Sequence, residues 1–178
     1  MINSKKYSFK PYQTNFIRLF YREKSGLKKI VSGAKIEHVG SSSVKGLGGK
    51  GIIDIALSVP KKDIRHTVEI LKKYNYDFRE SGGDKERFFF QKIIIYAGNE
   101  RRVHIHLTDN NSKAWVSFIA VRDLLRDNKE LSKEYEQVKK RAVIYAKGDS
   151  KKYRKFKNVF LKKIEKIALE EYWKNKIK

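Results

Sequence analysis

The spacing of hydrophobic residues divides the first 60 residues into a helix and two strands. Residues 13–31 carry Phe, Ile and Leu at the spacing of one helical face, which predicts an amphipathic helix. The apolar runs at Lys35–Val39 and Ile52–Val59 are short and rich in Val and Ile, so they predict strands. The glycine and serine residues of 40–51 predict a loop between them.

The next part of the chain predicts a helix and a hairpin. Residues 63–74 repeat apolar positions at helical spacing, and Asp63 is the expected N-cap. Residues 86–96 are rich in Phe and Ile, and residues 102–108 are apolar at alternate positions, so both predict strands. The turn at 97–100 joins these two strands into a hairpin.

From Ser112 onward the hydrophobic residues recur at helical spacing. Three apolar stripes predict three helices. Strands followed by helices predict an α/β or α+β class with a mixed sheet. The length predicts a single domain, 1–178, in which 1–110 form the sheet-containing core and 111–178 the helical C-terminal part. The three stripes are Trp115, Phe118, Ile119, Arg122 and Leu125; Leu131, Tyr135, Val138, Ala142 and Tyr145; and Tyr153, Phe156, Phe160, Ile164 and Ile167.

The composition excludes several classes of protein. Hydrophobic residues make up 40% of the 178, which is enough for a folded core despite a charged fraction of 35%. The chain has no cysteine, so disulfides, thiolate zinc sites and a cysteine nucleophile are excluded. Its apolar runs are too short to span a membrane, and residues 1–12 lack the apolar stretch of a secretory signal. We expect a cytoplasmic protein without a membrane partner.

The net charge of +22 comes from 42 Lys and Arg residues against 20 Asp and Glu. Such a charge attracts polyanions and favours a nucleic acid as a partner, but a lysine-biased composition explains it equally well. Tyr135, Tyr145 and Tyr153 alternate with lysines in the predicted helices. Their rings are candidates to stack on nucleic-acid bases, and they also fit the helical stripes as core residues.

Two glycine-containing segments are candidates for a phosphate loop. Gly46, Gly48 and Gly51 satisfy the dinucleotide pattern, but this segment precedes a strand and opens no helix, so we reject a dinucleotide site. Gly40 and Ser41 directly follow a predicted strand, where small residues allow backbone amides to approach a phosphate.

Three side chains in predicted strands are candidates for a metal site. Asp54 lies within an apolar strand, where a carboxylate is costly to bury unless it is paired or bound to metal. Strand alternation places His104 and His106 on one face. A carboxylate and two imidazoles would suit Mn, Fe, Co, Ni or Zn better than Mg. The alternatives are a solvent-facing Asp54 and half-exposed histidines bonded to their neighbours.

These motifs together resemble the GrpB family of nucleotidyltransferase-like proteins. The resemblance rests on residues 36–44, on Gly46, Leu47 and Lys50, and on residues 52–55. Further matches are Glu86, Arg87, Phe88 and Phe89, residues 104–106 and 122–126, Tyr135 with Lys139, and Tyr153 with Lys157. The resemblance implies a nucleotidyltransferase-like mixed sheet flanked by helices. It also implies phosphate binding by Gly40 and Ser41, and Asp54 as the first metal ligand.

The chain departs from the superfamily pattern at several positions. Ala56 occupies the second carboxylate position, and His104 and His106 stand where the third carboxylate is expected. Two-metal catalysis requires more anionic ligands than one aspartate. Lys45 and Gly51 replace prolines that are usual in the family, which loosens the loop. Activity as an enzyme is therefore left open.

The sequence thus predicts a protein that binds a nucleotide or another phosphorylated small molecule, with metal-dependent nucleotidyl or phosphoryl transfer as its reaction. The alternative is a catalytically inactive member that binds RNA or another polyanion. The expected metal ligands are Asp54, His104 and His106, holding one divalent ion (Mg, Mn or Zn). The expected phosphate-site residues are Gly40, Ser41, Ser42, Lys50, Arg87 and Lys139. The candidate catalytic residues are Asp54, Glu37 and His38.

Overall fold

The computed structural model describes residues 8–110 and 112–176 of the chain, so residues 1–7 of the polar N-terminal segment lie outside the described residues. The described residues form five α-helices and five β-strands. The helices are α1 (Asn15–Ile30), α2 (Ile64–Lys73), α3 (Lys113–Asp127), α4 (Lys129–Ala146) and α5 (Ser150–Lys176). The strands are β1 (Lys35–Val39), β2 (Ile52–Val59), β3 (Asp77–Phe78), β4 (Arg87–Tyr96) and β5 (Asn99–Asp109).

The strands form one mixed sheet in the order β1-β2-β5-β4-β3. Strands β2 and β5 are parallel, and the other neighbours pair antiparallel. The β4–β5 hairpin turns through Ala97 and Gly98, which both have positive φ angles, as tight hairpin turns require. This pairing brings residues from distant parts of the sequence to the centre of the sheet.

One face of the sheet packs on α1 and α2. The odd-numbered residues of β2 and β5 meet the apolar sides of these helices in a single core cluster. Because side chains alternate along a strand, the even-numbered residues of β2 and β5 point to the opposite face. The fully buried side chains of this cluster include Leu19, Leu27, Ile53, Ile55, Leu57, Leu71, Phe90, Ile105 and Leu107.

The C-terminal helices form a second core. Ala120, Leu124 and Leu125 of α3 pack with residues of α4 and α5 and with Val44 and Leu47 of the glycine-containing loop. The loop therefore lies between the sheet and the helical part. The even-numbered face of β2 and β5 borders this junction.

The predicted fold class is confirmed: the chain has a mixed sheet flanked by helices and a helical C-terminal part. The helix boundaries agree with the sequence pattern to within two residues for α1 and α2. Asp63 occupies the N-cap position of α2 as predicted, but its side chain makes no capping hydrogen bond. The two-residue strand β3 was not predicted, because it is too short to show the alternation of hydrophobic and polar residues that marks a strand.

The described part of the chain contains no helix that is both long and apolar enough to cross a membrane.

A buried hydrogen bond joins α1 to the segment between α2 and β3. Tyr76 donates its hydroxyl to Glu23 over 2.9 Å, and both residues are buried. Tyr76→Phe is expected to destabilise the fold by about 2 kcal/mol, because it leaves a buried carboxylate without its donor. The exposed Tyr74 provides the matched control, Tyr74→Phe. Urea unfolding measures the stability of both variants. Equal midpoints would show that the hydrogen bond contributes nothing to stability.

Candidate phosphate site

The predicted site residues on β2 and β5 lie next to each other. In the parallel pairing, Asp54 lies opposite His104 and Ala56 lies opposite His106. These four side chains occupy the even-numbered face, which borders the helical part. The structure therefore brings the predicted carboxylate and both histidines together.

Both histidines contact the same carboxylate oxygen. His104 Nδ1 lies 3.1 Å from Asp54 Oδ1, and His106 Nε2 lies 3.5 Å from it. Burial on its own would raise the pKa of Asp54, but hydrogen bonds from the two histidines hold the pKa well below its usual range. Asp54 is thus a carboxylate over the whole physiological pH range.

Arg87 fixes the protonation of His106. Its guanidinium donates from Nη1 to His106 Nδ1 over 3.3 Å, and from Nη2 to the Gly82 carbonyl. Arginine has no acceptor, so His106 Nδ1 must accept and its proton must sit on Nε2, which faces Asp54. Because Nδ1 accepts, the ring is neutral. Burial lowers the pKa of His106, Asp54 acts against this shift, and the Arg87 charge lowers the pKa further.

The loop after β1 is held tightly against Asp54. Gly40 has φ 67° and ψ −172°, a backbone region that essentially only glycine adopts. A Cβ at Gly40 would lie 2.6 Å from Asp54 Oδ2. Ser43 donates its hydroxyl to the Gly40 carbonyl, and Arg126 donates to the Ser43 carbonyl from α3. Both the sheet and α3 therefore hold the predicted phosphate loop in place.

The two candidate bases on β1 point to opposite faces. Glu37 pairs with Ala56 and so lies on the face of Asp54, but it accepts a hydrogen bond from Arg122 Nη1 at 2.6 Å. His38 faces α1, where its ring stacks on Phe20 with centroids 4.6 Å apart. The structure does not bring the His38 ring to the face of Asp54.

His38 instead contacts the predicted phosphate loop from the side of the sheet that packs on α1. Its Nε2 lies 3.0 Å from the Ser42 hydroxyl, and both groups are buried. Burial lowers the pKa of His38 to about 4, so the ring is neutral at physiological pH. His38 therefore positions Ser42, which is itself only 2% exposed.

Helix α4 reaches the site through Lys139. This side chain is 3% exposed, and its Nζ donates to the Gly48 carbonyl. Glu136, one turn earlier, accepts from the Gly48 amide at 2.9 Å. A Cβ at Gly49 would lie 2.5 Å from the Ser41 hydroxyl and 3.6 Å from Lys139 Nζ. The Ser41 hydroxyl and the Lys139 amine therefore both lie close to Gly49.

The glycine-rich segment 46–51 is not a phosphate loop. The Gly48 amide donates to Glu136, and the Gly49 amide donates to the Lys10 carbonyl. The segment leads directly into β2 and opens no helix. These features agree with our rejection of a dinucleotide site.

The lysines near Asp54 have depressed pKa values. Burial lowers the pKa of Lys139 to about 7, and the charge of Lys157 lowers it while those of Glu136 and Asp54 raise it. Burial lowers the pKa of Lys50 to about 8, again with Asp54 acting against the shift. Lys50 Nζ also lies 5.4 Å from the centre of the Tyr153 ring. The predicted cations Lys50 and Lys139 thus share one electrostatic environment with Asp54.

The sequence analysis missed Lys157 of α5 as a site residue. Burial lowers its pKa, Asp54 raises it, and Arg154 and Arg87 lower it. One sequence signal points to it: Lys157 lies one turn after the buried Tyr153 and so shares its helix face. Arg102 of β5, which also acts on Lys50, carries a buried Nε without a hydrogen-bond partner.

The donors at Asp54 do not fit a divalent metal ion. A metal-bound histidine normally donates its other ring nitrogen to an acceptor, but His106 meets the donor Arg87 there. The second acid position is the buried Ala56. Among residues 8–110 and 112–176, no three His, Asp or Glu side chains form a group that could hold an ion. The metal cofactor stays a prediction.

The fold and the site define an α/β protein in which one carboxylate and two histidines lie together, with several lysines acting on the carboxylate. The sequence profile of the GrpB protein family matches residues 6–167. The chain belongs to the GrpB family.

Known members of the family are similar over most of this chain. It is 29% identical to UPF0157 protein YqkA of Bacillus subtilis, over 92% of this chain and 47% of YqkA. It is 30% identical to Glutamate-rich protein GrpB of Alkalihalophilus pseudofirmus, over 86% of this chain and 90% of that protein. The crystal structure of GrpB from Enterococcus faecalis superposes with a TM-score of 0.80 at 28% identity, over 93% of this chain and 99% of that chain.

Proposed function

We propose that this chain binds the phosphate groups of a small molecule, with a nucleotide as the first candidate, between the sheet and the helical part. The observation that carries the proposal is the set of lysines around Asp54. Lys50, Lys139 and Lys157 each interact with its charge, and the Ser41 hydroxyl and the Lys139 amine both lie close to Gly49. A recess lined by charges of one sign concentrates ligands of the other sign.

The proposed binding mode uses different elements for different contacts. The hydroxyl of Ser41 is supplied by the loop that Gly40 and Arg126 hold in place. Amines approach from α4 through Lys139 and from α5 through Lys157, and charged donors make the strongest hydrogen bonds to phosphate oxygens. A nucleotide is the first candidate because the loop and Asp54 resemble their counterparts in nucleotidyltransferases.

The proposal is limited to binding. Of the four paired side chains at the site, Asp54 is the carboxylate, and the others are Ala56, His104 and His106. Transfer of a nucleotidyl group through two metal ions requires more anionic ligands. No step of such a reaction is assigned to these residues.

Nucleic-acid binding through the basic helices receives less support. Tyr135 and Tyr153 are 6% and 3% exposed, so they belong to the core and are closed to stacking on bases. Tyr145 is the exposed member of the three, at 58%. Polyanion binding is therefore treated as an outcome of the test below.

Calorimetric titration of the full chain with ATP, UTP and pyrophosphate tests the proposal. We expect saturable binding of one ligand per chain, and Arg87→Gln should weaken it by about tenfold through loss of a charged donor. The matched control is Arg79→Gln, since Arg79 pairs with Asp77 at the surface. Equal affinities for the two variants would contradict this site. Binding without a fixed stoichiometry that disappears with salt would indicate a surface polyanion interaction instead.

A further inference from the structure

We propose that the amines of Lys50, Lys139 and Lys157 neutralise the bound phosphate groups, so that this site binds its ligand without a divalent metal ion. This inference rests on the proposed function and names what supplies the positive charge. It departs from the metal site predicted by resemblance. It is carried by the contacts of His106, by the signs of the charges around Asp54 and by a buried donor that lacks an acceptor.

The first argument is the direction of the hydrogen bonds at His106. Arg87 donates to Nδ1, so Nε2 carries the proton and points it at Asp54. A metal ligand needs a lone pair at the nitrogen that faces the ion. His106 would have to lose its bond to Arg87 before Nε2 could become a ligand. Asp54 and His104 then remain, which is fewer than the three protein ligands that zinc sites use.

The second argument is the sign of the surrounding charges. The Asp54 carboxylate acts on three lysines, and those lysines act on one another and on neighbouring arginines. A divalent cation placed there would be repelled by each of them, whereas a diphosphate would be attracted. The cations in this group are Lys50, Lys139, Lys157, Arg87, Arg102 and Arg154.

The third argument is that a buried donor near Lys50 has no acceptor. Arg102 Nε is buried and without a partner in the described part of the chain, and the Arg102 charge acts on Lys50. Buried donors in native proteins are normally satisfied, so this atom points to an acceptor that is supplied by a ligand. Phosphate oxygens are acceptors of this kind.

The depressed lysine pKa values agree with these arguments. Buried amines placed close together lose protons more easily because each charge opposes the others. An anionic ligand reverses this effect and returns the protons. We therefore expect pyrophosphate binding at slightly alkaline pH to take up protons, which is measured by calorimetry in buffers of different ionisation enthalpy.

Titration of the full chain with pyrophosphate, in EDTA and in magnesium, tests the inference. We expect saturable binding in EDTA with an affinity within about twofold of that in magnesium, less than 0.5 kcal/mol. Lys157→Met should weaken binding in EDTA by about tenfold or more. The matched control is Lys155→Met, which removes the same charge from an exposed position of α5 and should change affinity by less than about twofold.

The outcomes separate the inference from the proposed function. Binding that requires magnesium would overturn the inference and leave the proposed function standing. Stoichiometric Mn²⁺ binding by the wild type that is lost in a His104→Ala/His106→Ala variant would also overturn the inference. No pyrophosphate binding in either medium would overturn both proposals. If a thermal melt shows that Lys157→Met does not fold, Lys50→Met is used in its place, since Lys50 directly precedes β2 and contributes another amine of the same group.

Discussion

Gly40→Ala is expected to lower the free energy of unfolding by about 2 kcal/mol and to weaken pyrophosphate binding by at least about tenfold. Gly40 adopts φ 67° and ψ −172°, which a residue with a Cβ avoids. The added Cβ would also lie 2.6 Å from Asp54 Oδ2, so the carboxylate or the loop has to move. Either movement separates Ser41 from the lysines. Urea unfolding and calorimetry measure the two effects.

The control for this variant is another glycine. Gly26 lies inside α1, and apart from the backbone of α1 itself no atom lies within 4 Å of the position that a Cβ would occupy. Gly26→Ala should stabilise the fold by about 0.5 to 1 kcal/mol, because alanine loses less backbone freedom in a helix. It should leave pyrophosphate binding unchanged. Wild-type stability and affinity in Gly40→Ala would show that the loop does not need its left-handed glycine.

Lys139→Met is expected to stabilise the free protein at neutral pH by roughly 2 kcal/mol, while it weakens pyrophosphate binding. In the folded chain the pKa of Lys139 is about 7, mainly because of burial, against an ordinary value of 10.5. At pH 7 the folded state therefore bears the cost of a buried, partly charged amine. Methionine removes this cost but loses the hydrogen bond to the Gly48 carbonyl, which reduces the gain.

The sign of the pH dependence follows from the same shift. Between pH 7 and 10.5 the unfolded chain holds a proton at Lys139 that the folded chain has released, so wild-type stability rises with pH there. Lys139→Met should flatten this rise. The part due to Lys50 should remain, since its pKa of about 8 is also depressed. The charged groups that face Lys139 are Glu136 of α4, Lys157 of α5 and Asp54 of β2.

Lys133→Met is the control for this comparison. Lys133 is an exposed lysine of the same helix, paired with Glu130 at the surface. Its removal should change stability by less than about 1 kcal/mol and leave the pH dependence unaltered. A Lys139→Met variant that is less stable at pH 7, with a wild-type pH dependence, would show that the buried amine is not strained.

The sequence was sufficient to predict most of the secondary structure. Strand β2 is apolar along its length because both of its faces are covered, and the hairpin β4–β5 is marked by Ala97 and Gly98. Strand β3 could not be predicted, because two residues are too few for periodicity. The position of the cap at Asp63 could be predicted but not its hydrogen bonding, since the residue also ends a 3-10 turn and its side chain makes no capping bond.

The candidate site could be predicted only where its residues share a strand or a loop. Alternation placed His104 and His106 on one face, and their contact with Asp54 depends on the parallel register of β2 and β5. The role of Arg87 could not be derived, because its bond to His106 depends on the antiparallel register of β4 and β5. Sequence reasoning gives no register between strands that are distant in the chain.

Lys157 could not be predicted as a site residue. Its position beside Lys50 and Lys139 depends on how α5 packs against α4 and the loop, which local sequence patterns do not determine. The stripe of α5 gave the helix and its buried face, and it correctly favoured Tyr153 as a core residue. The charged neighbours of that face became recognisable only after the helical part was placed against the sheet.

Backbone amide NMR shifts during a pyrophosphate titration in EDTA test the central claim most directly. We predict shifts that saturate at one ligand per chain and are confined to residues 40–43 and to the neighbourhoods of Lys50, Lys139 and Lys157. Shifts that do not saturate and that follow the exposed lysines of α4 and α5 would contradict it. They would indicate that the positive charge of this chain attracts anions at its surface and that the proposed site around Asp54 does not bind them.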